Sequence, residues 1–289
     1  MSAYNWEFDF DPAFPVHLFE YTVPGTGDRL HWHRYYEIGL CTHGGGTFQY
    51  ASKTYDVQPG DVFVTNNYET HVAVTQQAHQ KYVFLIFLPA FISGSGAPGQ
   101  ELNDRYLETF QYNPRHFDNR IPRGTESAAK LRELMLEALA AYTLRAENWQ
   151  MRVDILVRQI LLGLRSIYAR PAAAATTLRI SPKLLSAQEY INANYTQPLT
   201  VEEVARVCGM YPTYFRHVFK ETFQVSFKEY VTQMRVAQAK LALSGGDSSI
   251  SRIIEETGYT NATQFYHIFR RYTGMTPAEY REARKRQGA

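Results

Sequence analysis

Apolar and polar residues follow two different rhythms along this chain, and the change of rhythm divides it. Through residues 1–95, Tyr, Phe, Val and Thr are dense, and Gly and Pro punctuate short runs. That is the pattern of half-buried strands. Tyr36–Cys41, Thr47–Tyr50, Asp61–Thr65 and Lys81–Phe87 are the clearest of them. Short strands at regular spacing predict a sandwich or small barrel. The segment 94–100 (GSGAPGQ) reads as a loop. From Thr125 the apolar residues fall three or four apart, which predicts helices over Glu126–Arg145 and Trp149–Tyr168. In the second, Val153, Leu156, Ile160 and Leu164 form one stripe. Two such helices need a surface to cover, on their own barrel, on a second copy of the chain, or on both. The small-residue stretch 171–177 (PAAAATT) suits a linker. Ser181-Pro182 then has the form of an N-cap followed by proline at the first helical position. The rest reads as helix, broken at Thr196–Pro198, Gly209, Gly245–Gly246, Gly258 and Gly274.

The C-terminal third contains an internal repeat. Val201, Val204 and Gly209 align with Ile250, Ile253 and Gly258 at a shift of 49. Phe215, Phe219, Lys220 and Tyr230 align with Phe265, Phe269, Arg270 and Tyr280 at a shift of 50. Each copy reads helix, glycine turn, helix, near 199–222 and 248–273. At ~100° per residue, Thr213, Arg216, His217 and Lys220 share one face of the second helix, opposite Phe215, Val218, Phe219 and Thr222. In the other copy Thr263, Tyr266, His267 and Arg270 oppose Phe265, Ile268, Phe269 and Tyr272. A single amphipathic helix of this kind is usually a solvated surface. The same arrangement twice, each behind a glycine turn, points instead to two matched outward faces. Between the copies, Lys228–Leu243 predicts a continuous helix of about 24 Å. With its flanking turns it suits two helices held near one DNA turn apart, roughly 34 Å.

Composition adds bounds. The 289 residues are 45% hydrophobic and 20% charged, enough for two domains with their own cores and too apolar for a disordered chain. The net charge is only +2, but residues 181–289 carry 14 basic and 10 acidic side chains, so the basic excess lies there. Cys41 and Cys208 read as free thiols. The acidic, aromatic N-terminus is unlike a signal peptide, and no apolar run approaches the ~20 residues of a membrane span. A cytoplasmic protein with no membrane partner is expected.

The pattern Phe265-x3-Phe269-Arg270-x3-Gly274-x2-Pro277-x2-Tyr280-Arg281, preceded by Gly258-Tyr259, resembles the AraC/XylS family of transcription regulators. Phe215-x3-Phe219-Lys220 and Tyr230 repeat part of it, and the resemblance covers about residues 183–286. It implies that the outer face of each second helix reads bases in double-stranded DNA. The candidate contacts are Thr213, Arg216, His217 and Lys220 in the first unit, and Asn261, Thr263, Gln264, His267 and Arg270 in the second. Lys220 and Arg270, at the end of each face, suit phosphates. Gln224 departs from the repeat by standing where the second copy has Gly274. His217 and His267 stand where many members carry arginine. Histidine gives no bidentate fork to guanine.

Gly25-x5-His31-x-His33-x3-Glu37-x6-Gly44 fits the first cupin motif. The second motif is weaker. Gly60 and His71 are correctly spaced, Asn66 and Tyr68 replace the usual proline and glycine, and Thr75 replaces asparagine. The resemblance is to a single cupin barrel, the usual N-terminal sensor of AraC/XylS relatives. Residues two apart on a strand face the same side, so His31, His33 and Glu37 are expected to converge, with His43 and His71 as further members of an effector pocket. Three imidazoles and a carboxylate from His31, His33, Glu37 and His71 suit Zn, Ni, Fe or Mn. The same side chains also suit direct binding of a polar effector, or a closed hydrogen-bonded cluster. Trp32, Tyr35, Tyr36, Phe48, Tyr50, Tyr55 and Phe63 are expected to be mostly core, and Trp6 and Phe8 are candidates for an arm over the pocket by analogy with the family.

The expected fold class is α+β, a cupin-like barrel with accessory helices followed by an all-α domain with two helix-turn-helix units. The expected domains are 1–170 for effector binding and dimerisation through the helices of 125–168, a linker at 171–180, and a DNA-binding domain at 181–289. The expected function is a non-enzymatic, homodimeric regulator, taken as an activator that works with RNA polymerase and answers to a sugar-like metabolite. The alternative is a metal-dependent cupin enzyme joined to a DNA-binding domain, and a barrel that only dimerises is a third reading.

Overall fold

A computed structural model describes the chain apart from residues 1–3, 7, 25–29, 51–52, 68, 76–79, 94–99, 113, 115, 170–179, 245–247 and 288–289. Gly25, Tyr68, most of the 94–100 loop, the 171–177 linker and Gly245–Gly246 lie outside the described residues. The chain divides into two compact units, residues 10–179 and residues 180–289, with residues 1–9 grouped with the second. The sequence had placed those nine residues with the barrel. The two-residue strand β1 (Tyr4–Asn5) lies against the helix Ala262–Thr273.

The first unit is built on two antiparallel sheets. One holds β2 (Val16–Thr22), β4 (Tyr36–His43), β7 (Val62–Thr65), β9 (Lys81–Phe87) and β10 (Arg120–Ile121) in the order β10-β7-β4-β9-β2. The other contains β3 (His31–Trp32), β8 (His71–Val74), β5 (Gly46–Tyr50) and β6 (Thr54–Val57), in the order β3-β8-β5-β6. The four strands read from sequence are all present, with ends shifted by two residues or fewer. The turn before β7 turns on Gly60, whose φ is +99°. Asp61 is buried there and accepts from the backbone N–H groups of Gln58 and Arg123 at 3.0 and 2.8 Å.

Strand alternation decides which face does what. Val16, Leu18, Ile38, Leu40, Val62, Val64, Val83 and Leu85 point to one side and form a core with α3 (Glu126–Leu144) and α4 (Trp149–Ile167). Leu131, Met135, Ala138, Val153, Val157, Ile160 and Leu164 complete that core, each buried. Two further short helices, α1 (Ala90–Ser93) and α2 (Gln100–Leu107), join the same unit. Thr125 caps α3 by accepting from Ala128 N at 3.1 Å. So α3 and α4 do cover their own barrel. The alternate positions face the opposite sheet: Phe48 of β5 stacks on Phe63 of β7 with ring centroids 4.6 Å apart. Of the aromatic residues expected in the core, Trp32, Tyr35, Tyr36, Phe48, Tyr50 and Phe63 are buried and Tyr55 is half-buried.

The second unit is all-helical: α5 (Pro182–Asn194), α6 (Val201–Val207), α7 (Pro212–Phe223), α8 (Phe227–Ser244), α9 (Ile250–Glu256), α10 (Ala262–Thr273) and α11 (Pro277–Gln287). Ser181, Thr200, Ser249 and Asn261 cap four of these helices by accepting a backbone N–H three residues on. The repeat extends to packing geometry. Phe219 meets Tyr230 edge to face at 5.3 Å and 89°, and Phe269 meets Tyr280 at 5.6 Å and 85°. Phe215, Phe219, Phe265 and Phe269 are fully buried, each contributing roughly 2–3 kcal/mol. The connecting helix α8 has 18 residues, about 27 Å.

Candidate functional site

Inside the barrel, the short strand β3 pairs His31 directly with His71 of β8. His33 follows β3, and Glu37 enters from β4 in the opposite sheet. His31, His33, Glu37 and His71 are all buried. Ligand atoms of the three histidines lie within 4.8 Å of one another. His33 Nε2 is 3.2 Å from His71 Nε2 and 3.3 Å from Glu37 Oε2, and His71 Nε2 is 3.4 Å from Glu37 Oε1. The ring of His33 stacks on Tyr35 with centroids 3.8 Å apart.

The outer ring nitrogens settle the proton positions. His33 Nδ1 contacts Tyr35 O at 2.9 Å and His71 Nδ1 contacts Glu69 O at 2.8 Å. A backbone carbonyl only accepts, so both Nδ1 atoms carry the hydrogen. In neutral rings both Nε2 atoms are therefore bare lone pairs, aimed at each other and at a carboxylate. Such a cluster calls for a cation at its centre, a proton or a metal ion. Burial alone would lower the pKa of His71, but the charge and hydrogen bonding of Glu37 outweigh it and raise it. Burial alone would raise Glu37, but His71 and His33 hold it well below the usual carboxylate range. The donor set also fits an ion. Four ligands at ~2.0–2.1 Å in a tetrahedron stand about 3.3 Å apart; His33, His71 and Glu37 show that separation, and the three histidine ligand atoms lie within 4.8 Å of one another, while a backbone-bonded Nδ1–H is the usual support of a metal-ligating histidine.

His43 does not join this group. It stands exposed at the far end of β4, opposite Lys81. A register shift between Cys41 and His43 breaks the alternation on which the expectation rested. A polar wall that the sequence reading had passed over supports the cluster instead. The Glu69 carboxylate is buried, 3.6 Å from Lys53 Nζ, and accepts from Tyr112 OH at 2.5 Å and Asn119 Nδ2 at 3.1 Å. Burial raises the pKa of Glu69 and lowers that of Lys53, against the attraction between their charges. Tyr50 OH and Thr65 Oγ1 are hydrogen-bonded at 3.0 Å beside them. The spacing Glu69-x-His71 was the one local signal for this wall, since it puts both residues on one side of an extended segment.

In the second unit, all nine expected DNA-contacting residues are solvent-exposed: Thr213, Arg216, His217 and Lys220 on α7, and Asn261, Thr263, Gln264, His267 and Arg270 at or on α10. Arg216 Nη2 donates to Glu202 of α6 at 2.9 Å, and His217 lies 3.5 Å from Glu221. Both pairs are open to water, where such contacts contribute little stability. Asn261 spends its side-chain oxygen on Gln264 N, 2.9 Å away. Three exposed aromatics flank the same faces: Tyr211 at 86%, Tyr214 at 58% and Tyr266 at 39% exposure.

Two family models match these two units. One, the AraC-like ligand binding domain, covers residues 15–148, and the other, a helix-turn-helix domain, covers residues 204–283. The chain belongs to the AraC/XylS family. It is 34% identical over 93 residues to the melibiose operon regulatory protein of Escherichia coli, a match spanning 32% of this chain and 31% of that protein. The chain thus aligns with about a third of that relative's length. It is 23% identical over 274 residues to the lactose operon transcription activator of Staphylococcus xylosus, 91% of this chain and 89% of that one. Among solved structures, ToxT of Vibrio cholerae aligns over 92% of this chain and 97% of its own with a TM-score of 0.56 at 10% identity, a likeness of fold. In this AraC/XylS member, no helix among the described residues is long and apolar enough to cross a membrane.

Proposed function

We propose that this chain is a sequence-specific DNA-binding transcription regulator whose barrel takes a small polar effector. The observation that carries the reading is the duplicated exposed face: Thr213, His217 and Lys220 recur as Thr263, His267 and Arg270 on helices whose inner aromatic packing is also duplicated. A major groove admits one such helix, and Thr, His, Gln and Arg side chains reach base edges. Lys220 and Arg270 supply charge for phosphates.

The effector reading rests on the imidazole–carboxylate cluster, walled by aromatic rings. A sugar suits such a pocket, and the names of two relatives refer to melibiose and lactose operons. His31, His33, Glu37 and His71 would hold a divalent ion (Zn, Ni, Fe or Mn), which would supply a positive charge and a coordination position to a polar ligand. Without it, the same side chains address the effector's hydroxyl groups directly. Homodimerisation is supported by α4, where Met151, Ile155 and Leu162 fall within ~40° of one another on the helical wheel and are 66%, 55% and 52% exposed. The reading extends to an activator that meets RNA polymerase in the cytoplasm. An effector that prefers one arrangement of two chains would alter how four helix-turn-helix units are placed on DNA.

The test is selection of a duplex from a randomised pool by the purified full-length protein. Affinity is then titrated with a panel of mono- and disaccharides and, separately, with Zn, Ni, Mn and Fe(II) salts. Enrichment of one sequence with ligand-dependent affinity supports the proposal. Binding without sequence preference overturns it. Conversion of a sugar by the metal-loaded protein would favour the cupin-enzyme alternative.

A further inference from the structure

The two helix-turn-helix units are not equivalent at their turns. Gly209 and Gly258 hold the same place in the repeat, with φ of +62° and +79°. A Cβ on Gly209 would approach only Lys183 Nζ, at 3.9 Å. A Cβ on Gly258 would lie 2.3 Å from the carbonyl oxygen of Thr196 and 2.9 Å from its Cα. The second turn is therefore pressed against the backbone that joins α5 to α6, in the other half of the domain.

Arg235, on the connecting helix α8, closes the same seam. Its Nε donates to Tyr195 O at 2.7 Å and its Nη2 to Gln197 O at 2.9 Å, so one guanidinium spans the carbonyls on either side of Thr196. Its guanidinium carbon is 5.6 Å from the ring centre of Tyr259, the residue after Gly258. Tyr259 in turn packs on Phe265 of α10 at 5.2 Å. In the first turn of α8, Glu229 accepts from the phenol of Tyr272 on α10. The guanidinium fork is planar and rigid, so these contacts fix an angle as well as a distance. A helix joined at one end only would leave the second unit free to swing. Here the seam ties it at a second point.

We propose that Arg235 is a positioning residue for DNA recognition. It locks the two helix-turn-helix units into one rigid reader, so that the protein dictates the spacing of the two half-sites. The proposal rests on the reading that both units contact one duplex. Each inserted base pair moves the far half-site by ~3.4 Å and rotates it by ~34–36°. A rigid reader cannot follow that screw motion, whereas a hinged one can.

The experiment uses the full-length protein and a duplex selected from a pool randomised over about four helical turns. Derivatives carry one, two or five extra base pairs between the half-sites. Wild type is expected to lose at least about tenfold in affinity on a two-base-pair insertion, the scale of a lost base contact. Arg235→Met keeps the aliphatic stem without the fork. It is expected to bind the native spacing about tenfold more weakly, with affinities across spacings within about threefold of one another. Arg235→Lys, which keeps the charge but not the fork, is expected to flatten the profile likewise. Loss of fold stability alone would weaken all spacings equally and leave the profile steep. A folded Arg235→Met protein with the wild-type spacing profile would overturn the proposal.

A second measurement needs neither a seam variant nor DNA. Spin labels on Glu221→Cys and Arg271→Cys, both exposed positions, report the distance between the reading helices by pulsed electron resonance. The native cysteines, Cys41 and Cys208, are buried. A single narrow distribution is expected, and a broad or two-peaked one would overturn the lock. If no duplex is enriched, the DNA-binding reading fails, and the label distances still decide whether the two units move together.

Discussion

Replacing Gly258 with alanine tests the seam by stability, with Gly209→Ala as its internal control. Both positions need a left-handed backbone, which costs an L-residue roughly 1–2 kcal/mol. Alanine recovers part of this, about 0.5–1 kcal/mol, by restricting the unfolded chain. At Gly209 the methyl group enters open space, so the net loss is about 1 kcal/mol. At Gly258 the methyl group would sit 2.3 Å from Thr196 O, where ordinary contact needs 3.4 Å or more, so the backbone must part by about an ångström. Overpacking of that kind costs about 1–3 kcal/mol, bringing the total to about 2–4 kcal/mol. In far-ultraviolet circular dichroism of the full chain during heating the helices of both units contribute, and the transition that these substitutions displace is that of residues 180–289. For a unit of about a hundred residues, 1 kcal/mol lowers the midpoint by roughly 4–8 °C. Gly209→Ala is expected to fall within that range and Gly258→Ala to lose at least about 8 °C, twice the Gly209→Ala shift or more. Equal losses, within about 0.5 kcal/mol, would mean that the Thr196 contact is not made and that the two turns differ in nothing but sequence.

The barrel makes a separate prediction. If Zn or Ni binds, a concentration of a hundred times the Kd adds about 2.7 kcal/mol, a rise in melting point of several degrees, and Glu37→Gln or His71→Gln should abolish that rise. His43→Gln should leave it unchanged, because His43 stands outside the cluster. On DNA, Arg216→Ala and His267→Ala should each cost about 1–3 kcal/mol on the selected duplex. Lys220→Ala should weaken all sequences alike and reduce the salt slope by about 0.9 in a titration of log K against log salt. Ile155→Asp should move the sedimentation coefficient toward the monomer if α4 is the dimer face. An unchanged value would place the dimer contact elsewhere.

The sequence by itself determined the elements, because their signals are local. Dense aromatic and β-branched runs between Gly and Pro marked β4, β7 and β9, apolar residues three or four apart marked α3 and α4, and Ser181-Pro182 marked a helix start. The repeat showed which faces of α7 and α10 turn outward, since burial of Phe215, Phe219, Phe265 and Phe269 leaves the opposite side in water. It also brought His31, His33, Glu37 and His71 to one place, because motif spacing on strands carries across a barrel. Only the tertiary structure decided what depends on contacts between distant segments. Six residues of strand, about 20 Å, separate His43 from Glu37, and beyond the register shift after Cys41 it stands exposed. Glu69 gained Lys53 from one part of the chain and Tyr112 and Asn119 from another. The two glycine turns, which hold the same place in the repeat, parted in role because one meets the backbone of Thr196 and the other is exposed. Period and propensity act over a turn or a strand, whereas register, bulges and close backbone approach are settled only when the whole chain packs.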